Sequence, residues 1–235
     1  MKYFNIGLIG LGNIGLEVYK NIKKNAADIR KKTGFKLNIY KVSAKNIKKK
    51  RGIKFPIKMM EKKISNIIND PKIDIIVELI GGADGVAKKV VFDSLKKGKH
   101  VVTANKSLIA KHGDTLSFLA EKHNVNLLFE AAVGGGIPII RSMKQGLIAN
   151  KLSHIYGILN GTTNFILTEM EKRNEGFAKI LKDAQKLGYA EKNPSSDVDG
   201  YDAADKISIL SSIGFGTKII NKGFITEGIR NIDLE

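Results

Sequence analysis

The fold is decided by residues 4–15, which read FNIGLIGLGNIG. The apolar run that ends at Ile9 predicts a buried strand, and the three glycines that follow match the pattern G-x-G-x-x-G. Apolar residues then recur at helical spacing. A strand that enters such a turn and leaves it as a helix is the context in which this pattern binds a dinucleotide, and the alternative is a plain tight turn. The candidate binding residues are Gly10, Leu11, Gly12, Asn13, Ile14 and Gly15.

Short apolar runs alternate with amphipathic stretches from this turn to about residue 130. The runs at 37–42, 73–80, 100–103 and 125–129 predict strands, and helices are expected at 86–97 and 108–122. Buried strands that alternate with helices indicate a parallel sheet covered on both faces. We therefore predict an α/β fold whose first domain, residues 1–132, is a Rossmann-type doubly wound parallel sheet that binds a dinucleotide.

The pattern changes at the glycines of positions 134–136. Beyond them we expect an α+β substrate-binding and catalytic domain, residues 133–235. Its predicted elements are a strand at 152–159 and helices at 139–149, 164–173, 177–187 and 202–213.

The composition excludes several classes of function. The 235 residues include no cysteine, which rules out disulfides, thiolate metal sites and a cysteine nucleophile. No apolar run approaches the roughly 20 residues of a membrane span, so we expect no membrane contact. Glycines interrupt the N-terminal apolar run and no small-residue cleavage site follows it, so we expect no export signal and a cytoplasmic protein. The net charge of +17 is compatible with nucleic-acid binding. However, only five basic residues are arginine and no tryptophan is present, so we expect no nucleic-acid partner.

The choice between NADP and NAD depends on the residues after the second predicted strand. Sites that prefer NAD place an acid there to bind the ribose hydroxyls. No acid lies between Asp28 and Glu61, and basic residues cluster at Lys41, Lys45 and 48–51. We therefore predict NADP as the preferred cofactor and NAD as the second choice. The alternative is that these lysines form a solvated face.

Two further segments are expected at the ligand-binding edge of the sheet, because ligands bind beyond the carboxyl ends of parallel strands. They supply four more cofactor-binding candidates, Ile80, Gly81, Thr103 and Lys106. In the second domain, Asp202 and Lys206 are four residues apart on a predicted helix. They are either a surface ion pair or a partly buried lysine held by acids, which could exchange a proton with a hydroxyl group during hydride transfer.

Five motifs together resemble homoserine dehydrogenase. They are GLGNIG at 10–15, VVTANK at 101–106, EAAVGGGIP at 130–138, NGTTN at 160–164 and the carboxylate-rich segment 188–206. The resemblance implies NAD(P)-linked interconversion of L-homoserine and L-aspartate 4-semialdehyde, in the biosynthesis of threonine, methionine and isoleucine. It implies Lys206 as proton donor and acceptor and Lys106 as a second catalytic residue at the nicotinamide. It also implies a substrate site made by Gly161, Thr162, Glu191, Asp197 and Asp202, and a sodium ion held by Glu130, Val133, Gly135 and Ile137.

Members of this family are usually longer, and their additional segments complete a dimer region. We therefore expect a homodimer if that region is intact. Two other functions stay open at this point. One is a truncated dinucleotide-binding protein with impaired catalysis, and the other is a nucleic-acid binder that uses the basic stretch 20–63.

Overall fold

The computed structural model describes residues 2–46, 48–220 and 223–233. The chain divides into two compact units, residues 1–136 and 137–235. The division follows the three consecutive glycines at 134–136.

The first unit is built on a parallel sheet. Its strands, within the described residues, are β1 (Lys2–Ile9), β2 (Phe35–Ser43), β3 (Ile75–Glu78), β4 (His100–Thr103) and β5 (Leu127–Leu128). The spatial order is β2-β1-β3-β4-β5, and every neighbouring pair is parallel. Successive strands are therefore added in opposite directions on either side of the boundary between β1 and β3, which makes that boundary the switch point where ligands bind in such sheets. The predicted Rossmann-type sheet is confirmed.

Helices connect the strands. They are α1 (Asn13–Lys24), α2 (Ala26–Thr33), α3 (Ile64–Asn69), α4 (Val86–Lys96) and α5 (Lys106–Lys122), with 3₁₀ turns at Ile57–Met59 and Glu130–Ala132. The last four residues of β1 are all buried, as expected for a strand covered on both faces. Leu8, Ile76, Val91 and Ile109 are completely buried between sheet and helices. This core holds the carboxyl ends of the strands, where the predicted cofactor residues lie.

The second unit is helical in the part that the structure describes. It contains α6 (Ile139–Arg141), α7 (Gly161–Arg173), α8 (Phe177–Lys186), α9 (Ser195–Val198) and α10 (Tyr201–Phe215). The helix predicted at 139–149 is confirmed for residues 139–146, where α6 passes directly into a π-helical turn at Ser142–Gly146, and it ends three residues earlier than predicted. Helices α7 and α8 enclose a core that includes Ile166, Met170 and Ile180.

The strand predicted at 152–159 is wrong. The segment pairs with no strand among the described residues, and a strand requires a hydrogen-bonded neighbour. One side of it packs on α10 instead, because a Cβ placed on Gly214 would come within 2.7 Å of the Ile155 side chain. The other side, with Tyr156 and Ile158, is exposed.

Among the described residues, no helix combines the length and the apolar character that crossing a membrane needs.

Candidate functional site

The glycine turn after β1 has the geometry of a dinucleotide-binding loop. Gly10 has φ +105°, and its N–H donates to the Ser43 carbonyl at 2.9 Å. A Cβ on Gly10 would overlap the Leu79 carbonyl oxygen, and one on Gly15 would overlap the Gly10 carbonyl oxygen. A Cβ on Gly12 would meet no atom of the described residues within 4 Å. The first and third glycines are thus required by the chain itself, whereas the second faces open space.

The N-terminus of α1 opens onto that space. Gly12, Asn13 and Ile14 are exposed, whereas Leu11 and Gly15 are buried. Within the described residues, no side chain caps the helix, and its first turn contains no acid. The first N–H groups of a helix lack intrahelical partners, and the helix dipole favours negative charge beside them. The turn therefore fits the pyrophosphate group of NAD(P).

The other predicted cofactor residues follow β3 and β4, the strands next to β1 on that side. Ile80 and Gly81 come directly after β3, and Leu79 touches the glycine turn through its contact with Gly10. Thr103 ends β4, and Lys106 is the half-buried first residue of α5. The structure thus brings the three segments to one edge of the sheet.

Asn105 is a residue of this edge that sequence reasoning missed as a site residue. Its side-chain oxygen accepts from the Leu108 N–H at 3.1 Å, which caps α5, and its amide donates to the Gly82 carbonyl at 2.7 Å. Asparagine directly before a helix is a recognisable capping signal. The bond to Gly82, in contrast, depends on the tertiary structure.

The basic residues at the end of β2 and after it divide into two groups. Lys41 donates to the Lys58 carbonyl at 2.7 Å, and Arg51 donates to the Leu11 carbonyl at 3.0 Å, so both are held by main-chain oxygens. Arg51 thereby ties the preceding loop to the glycine turn. Lys45 and Lys48–Lys50 are exposed beside it. Ser43, at the end of β2, stands where an NAD-preferring site would carry an acid.

The second unit contains a buried polar network centred on Lys206. The ammonium group of Lys206 lies 2.6 Å from a carboxylate oxygen of Asp202 and donates to the Leu159 carbonyl at 2.7 Å. Asp202 is 5% exposed, and the Lys206 side chain is 17% exposed. This ion pair is therefore partly buried, and the surface interpretation of the pair does not hold.

Asn160 joins the network to a second acid. Its amide donates to Asp202 at 2.9 Å and to Asp197 at 2.7 Å, while its side-chain oxygen accepts from the Thr163 N–H at 2.8 Å. Asn160 is thus both the N-cap of α7 and the link between the two carboxylates. The motif that contains it was recognised in the sequence, but only its neighbours Gly161 and Thr162 were predicted as site residues.

The remaining substrate candidates lie at the margin of this network. Gly161 is the exposed first residue of α7. The hydroxyl of Thr162 donates to the Tyr189 carbonyl at 2.9 Å, which holds the segment leading to Glu191 against α7. Glu191 is exposed, and its main-chain carbonyl accepts from the Gln185 side-chain amide at 2.9 Å.

Asp199 does not join the acids beside Lys206, because it is paired with Arg230. Arg230 donates to both of its carboxylate oxygens, at 3.1 Å for one of them. This hydrogen bonding lowers the pKa of Asp199 below its usual value. The acids that remain beside Lys206 and Asn160 are Asp197 and Asp202.

The residues implied for sodium follow β5. Glu130 begins the 3₁₀ turn and is half-buried, Val133 is buried, and Gly135 is exposed. Ile137 opens the second unit, and its carbonyl accepts from the Ile139 N–H at 2.8 Å. One carboxylate and three main-chain carbonyls are hard oxygen ligands, so the donor set suits sodium by its chemistry.

Comparison with known proteins identifies one family throughout. The family profile described as the homoserine dehydrogenase NAD binding domain matches residues 10–130, and the profile described as homoserine dehydrogenase matches residues 138–235. Homoserine dehydrogenase of Neisseria gonorrhoeae is 43% identical over 99% of this chain and is itself covered to 53%.

Solved structures give the same result. The crystal structure of a homoserine dehydrogenase from Thiobacillus denitrificans has a TM-score of 0.93 and 40% identity, covering 99% of this chain and 53% of that one. The structure of a hyperthermophilic archaeal homoserine dehydrogenase in complex with NADPH has a TM-score of 0.81 and 25% identity, covering 98% of this chain and 75% of that one. The chain thus spans about half the length of the curated relatives it matches.

Proposed function

The chain belongs to the homoserine dehydrogenase family, and from that premise we propose that it interconverts L-homoserine and L-aspartate 4-semialdehyde with NAD(P). The reaction is a step in the biosynthesis of threonine, methionine and isoleucine. The observation that carries the proposal is the partly buried Lys206–Asp202 pair, which Asn160 links to Asp197. A hydroxyl or carbonyl oxygen needs a proton donor and acceptor of this kind when hydride moves to or from its carbon.

The proposed reaction combines a hydride transfer with a proton transfer. When bound at the glycine turn, the nicotinamide cofactor supplies or accepts the hydride. In the reducing direction, the ammonium group of Lys206 gives a proton to the aldehyde oxygen as the carbonyl carbon gains hydride. In the oxidising direction, the neutral amine of Lys206 takes the hydroxyl proton. Asp202 and the Leu159 carbonyl orient that nitrogen through bonds of 2.6 and 2.7 Å.

Substrate binding is assigned to the acids around Lys206. The α-ammonium group of homoserine is a cation, so carboxylates are its natural partners. Glu191 and Asp197 are proposed to hold it, with Asp202, Gly161 and Thr162 shaping the rest of the substrate site. Lys106 keeps its predicted second catalytic role, in which positive charge stabilises the developing oxyanion.

The decisive experiment follows the absorbance of the reduced cofactor while the chain acts on L-homoserine. We expect turnover by the parent chain and a loss of about 10²–10⁴-fold in kcat for Lys206→Met, the usual contribution of general acid–base catalysis. Lys182→Met removes an exposed lysine on α8 and serves as the matched control, with unchanged kcat. Near-normal turnover by Lys206→Met would refute the assignment.

Two binding measurements beside this assay, one with the cofactor and one with DNA or RNA, separate the two other functions. Cofactor binding without turnover would favour the impaired dinucleotide-binding protein. Retention of DNA or RNA that falls steeply with salt, without any cofactor binding, would favour the nucleic-acid binder.

NADP is proposed as the preferred cofactor. Ser43 stands at the end of β2 in place of an acid, and the exposed lysines after it suit a 2′-phosphate. Fluorescence titration with NADPH and NADH tests this preference. A tighter Kd for NADH would overturn it.

Sodium binding and dimer formation are proposed as accompanying properties. Sodium binding is supported if sodium chloride raises the turnover of the parent and an equal concentration of choline chloride does not. The Glu130→Gln variant should then show no rise in turnover with sodium.

The exposed apolar side chains Tyr156, Ile158 and Ile225 of the second unit favour self-association. Light scattering measures the mass directly, and a monomer at all concentrations would refute the homodimer.

A further inference from the structure

Glu78 is a buried carboxylate at the carboxyl end of the central strand of the sheet. It is the last residue of β3, after the apolar residues Ile75, Ile76 and Val77, and it is 0% exposed. A charged group in such a place is costly unless hydrogen bonds compensate it. Neither the glycine turn nor the Lys206 network uses it.

Both oxygens of this carboxylate accept hydrogen bonds. One oxygen accepts from the N–H groups of Ile80 at 2.6 Å and Gly81 at 3.1 Å. The other accepts from the Thr103 hydroxyl at 2.6 Å. Glu78 and Thr103 are also register partners across β3 and β4. One side chain thereby joins the loop after β3 to the end of β4.

A second link runs parallel to the first. The Thr103 hydroxyl accepts from the Asn105 N–H at 3.0 Å, and the Asn105 amide donates to the Gly82 carbonyl at 2.7 Å. Asn105 also caps α5, the helix that begins with Lys106. The hydrogen bonds therefore form a closed ring through Glu78, Thr103, Asn105 and the loop 80–82.

The loop needs such an anchor because of its sequence. Gly81 and Gly82 have φ of +88° and +84°, a conformation that glycine adopts easily, and they have no side chains to pack. Their position is instead determined through main-chain groups, at the Gly81 N–H and the Gly82 carbonyl. The residues held in this way include the predicted cofactor contacts Ile80 and Gly81.

We propose that Glu78 is a positioning residue, which holds the loop 80–82 and the start of α5 in the arrangement that receives the nicotinamide half of the cofactor. The inference rests on the proposed function, because it assigns these loops to the cofactor. Glu78 acts through its hydrogen-bond partners and does not itself contact the cofactor or the substrate.

Glu78→Gln tests the proposal with almost no change in volume. Its amide group can accept on one side only, so either the Ile80 and Gly81 N–H groups lose their acceptor, or the Thr103 hydroxyl must turn and accept from the amide to which it can no longer donate. We expect the Kd for NADPH, measured by fluorescence titration, to rise about tenfold and the cofactor KM to rise with it. Ser94→Ala is the control, because Ser94 is a buried polar residue on α4 whose hydroxyl bonds only to Val90 among the described contacts. Its Kd is expected to stay unchanged even where its melting temperature falls.

Thr103→Val is the second variant, because Glu78→Gln could fail to fold. It breaks the same ring from β4 and leaves β3 intact, and the same rise in Kd is expected. A folded Glu78→Gln or Thr103→Val protein with the parental Kd would overturn the inference, even with a lowered melting temperature. Binding by the parent without turnover would refute only the proposed function, whereas absence of cofactor binding by the parent would refute both.

Discussion

Alanine substitutions at two glycines of the same turn are expected to have opposite signatures. Gly12 has φ −77° and ψ −167°, which any residue adopts, and an added Cβ meets no described atom within 4 Å. Alanine leaves the unfolded chain less conformational freedom than glycine does, which raises the free energy of unfolding by about 0.4–1 kcal/mol. Alanine is also a poorer N-cap residue than glycine, which opposes this gain. The free energy of unfolding of Gly12→Ala should therefore stay within about 1 kcal/mol of the parent.

Gly15→Ala should unfold more easily. Its Cβ would overlap the Gly10 carbonyl oxygen and lie 3.0 Å from the Gly10 carbonyl carbon, and both are main-chain atoms that cannot rotate away. Overpacking of this kind costs about 1–3 kcal/mol. Urea unfolding followed by circular dichroism measures both variants.

Cofactor binding completes the comparison. A ligand at 100 times its Kd raises the free energy of unfolding by about 2.7 kcal/mol. If the methyl group of Gly12→Ala displaces the pyrophosphate enough to raise Kd tenfold, the same NADPH concentration adds only about 1.4 kcal/mol. We therefore expect Gly12→Ala to keep the free energy of unfolding of the parent in the absence of cofactor, and to gain only about half as much stability from NADPH. A Gly12→Ala protein that NADPH stabilises as strongly as the parent would refute the placement of the pyrophosphate at this turn.

Three further substitutions test other parts of the chain. Asn160→Ala removes an N-cap and two bonds to acids, so its free energy of unfolding in urea should fall by about 1–2 kcal/mol, while exposed Asn164→Ala stays within about 0.5 kcal/mol. Glu191→Leu should raise the KM for homoserine, whereas Glu171→Leu, on the exposed surface of α7, should not; an unchanged KM would move the ammonium site elsewhere. Burial lowers the pKa of Lys99 below its ordinary value of 10.5. Between the lowered pKa and 10.5 the unfolded chain binds more protons, so the stability of the parent relative to Lys99→Met should rise with pH through that window; a margin independent of pH in urea titrations would contradict this.

The sequence by itself determined the features that arise from neighbouring residues. The glycine turn, the strands β1 and β2 and the helices α4 and α5 follow from apolar periodicity and from glycines at defined spacing. Helix α2 escaped prediction because it buries no residue and therefore has no apolar stripe. The Lys206–Asp202 pair was also accessible, since residues four apart on a helix lie on one face.

Only the tertiary structure decided which distant groups meet. Glu78 and Thr103 are 25 residues apart, and Asn160 is 37 and 42 residues from the two acids it joins. No local pattern encodes such partners, because their contact depends on how the strands are ordered and how the helices pack. The segment 152–159 shows that a local preference is not sufficient either. Its residues favour a strand, but a strand forms only where a neighbouring strand supplies hydrogen bonds. The pattern of neighbouring residues thus determined most helices and strands, and long-range packing determined the polar networks around Glu78 and Lys206.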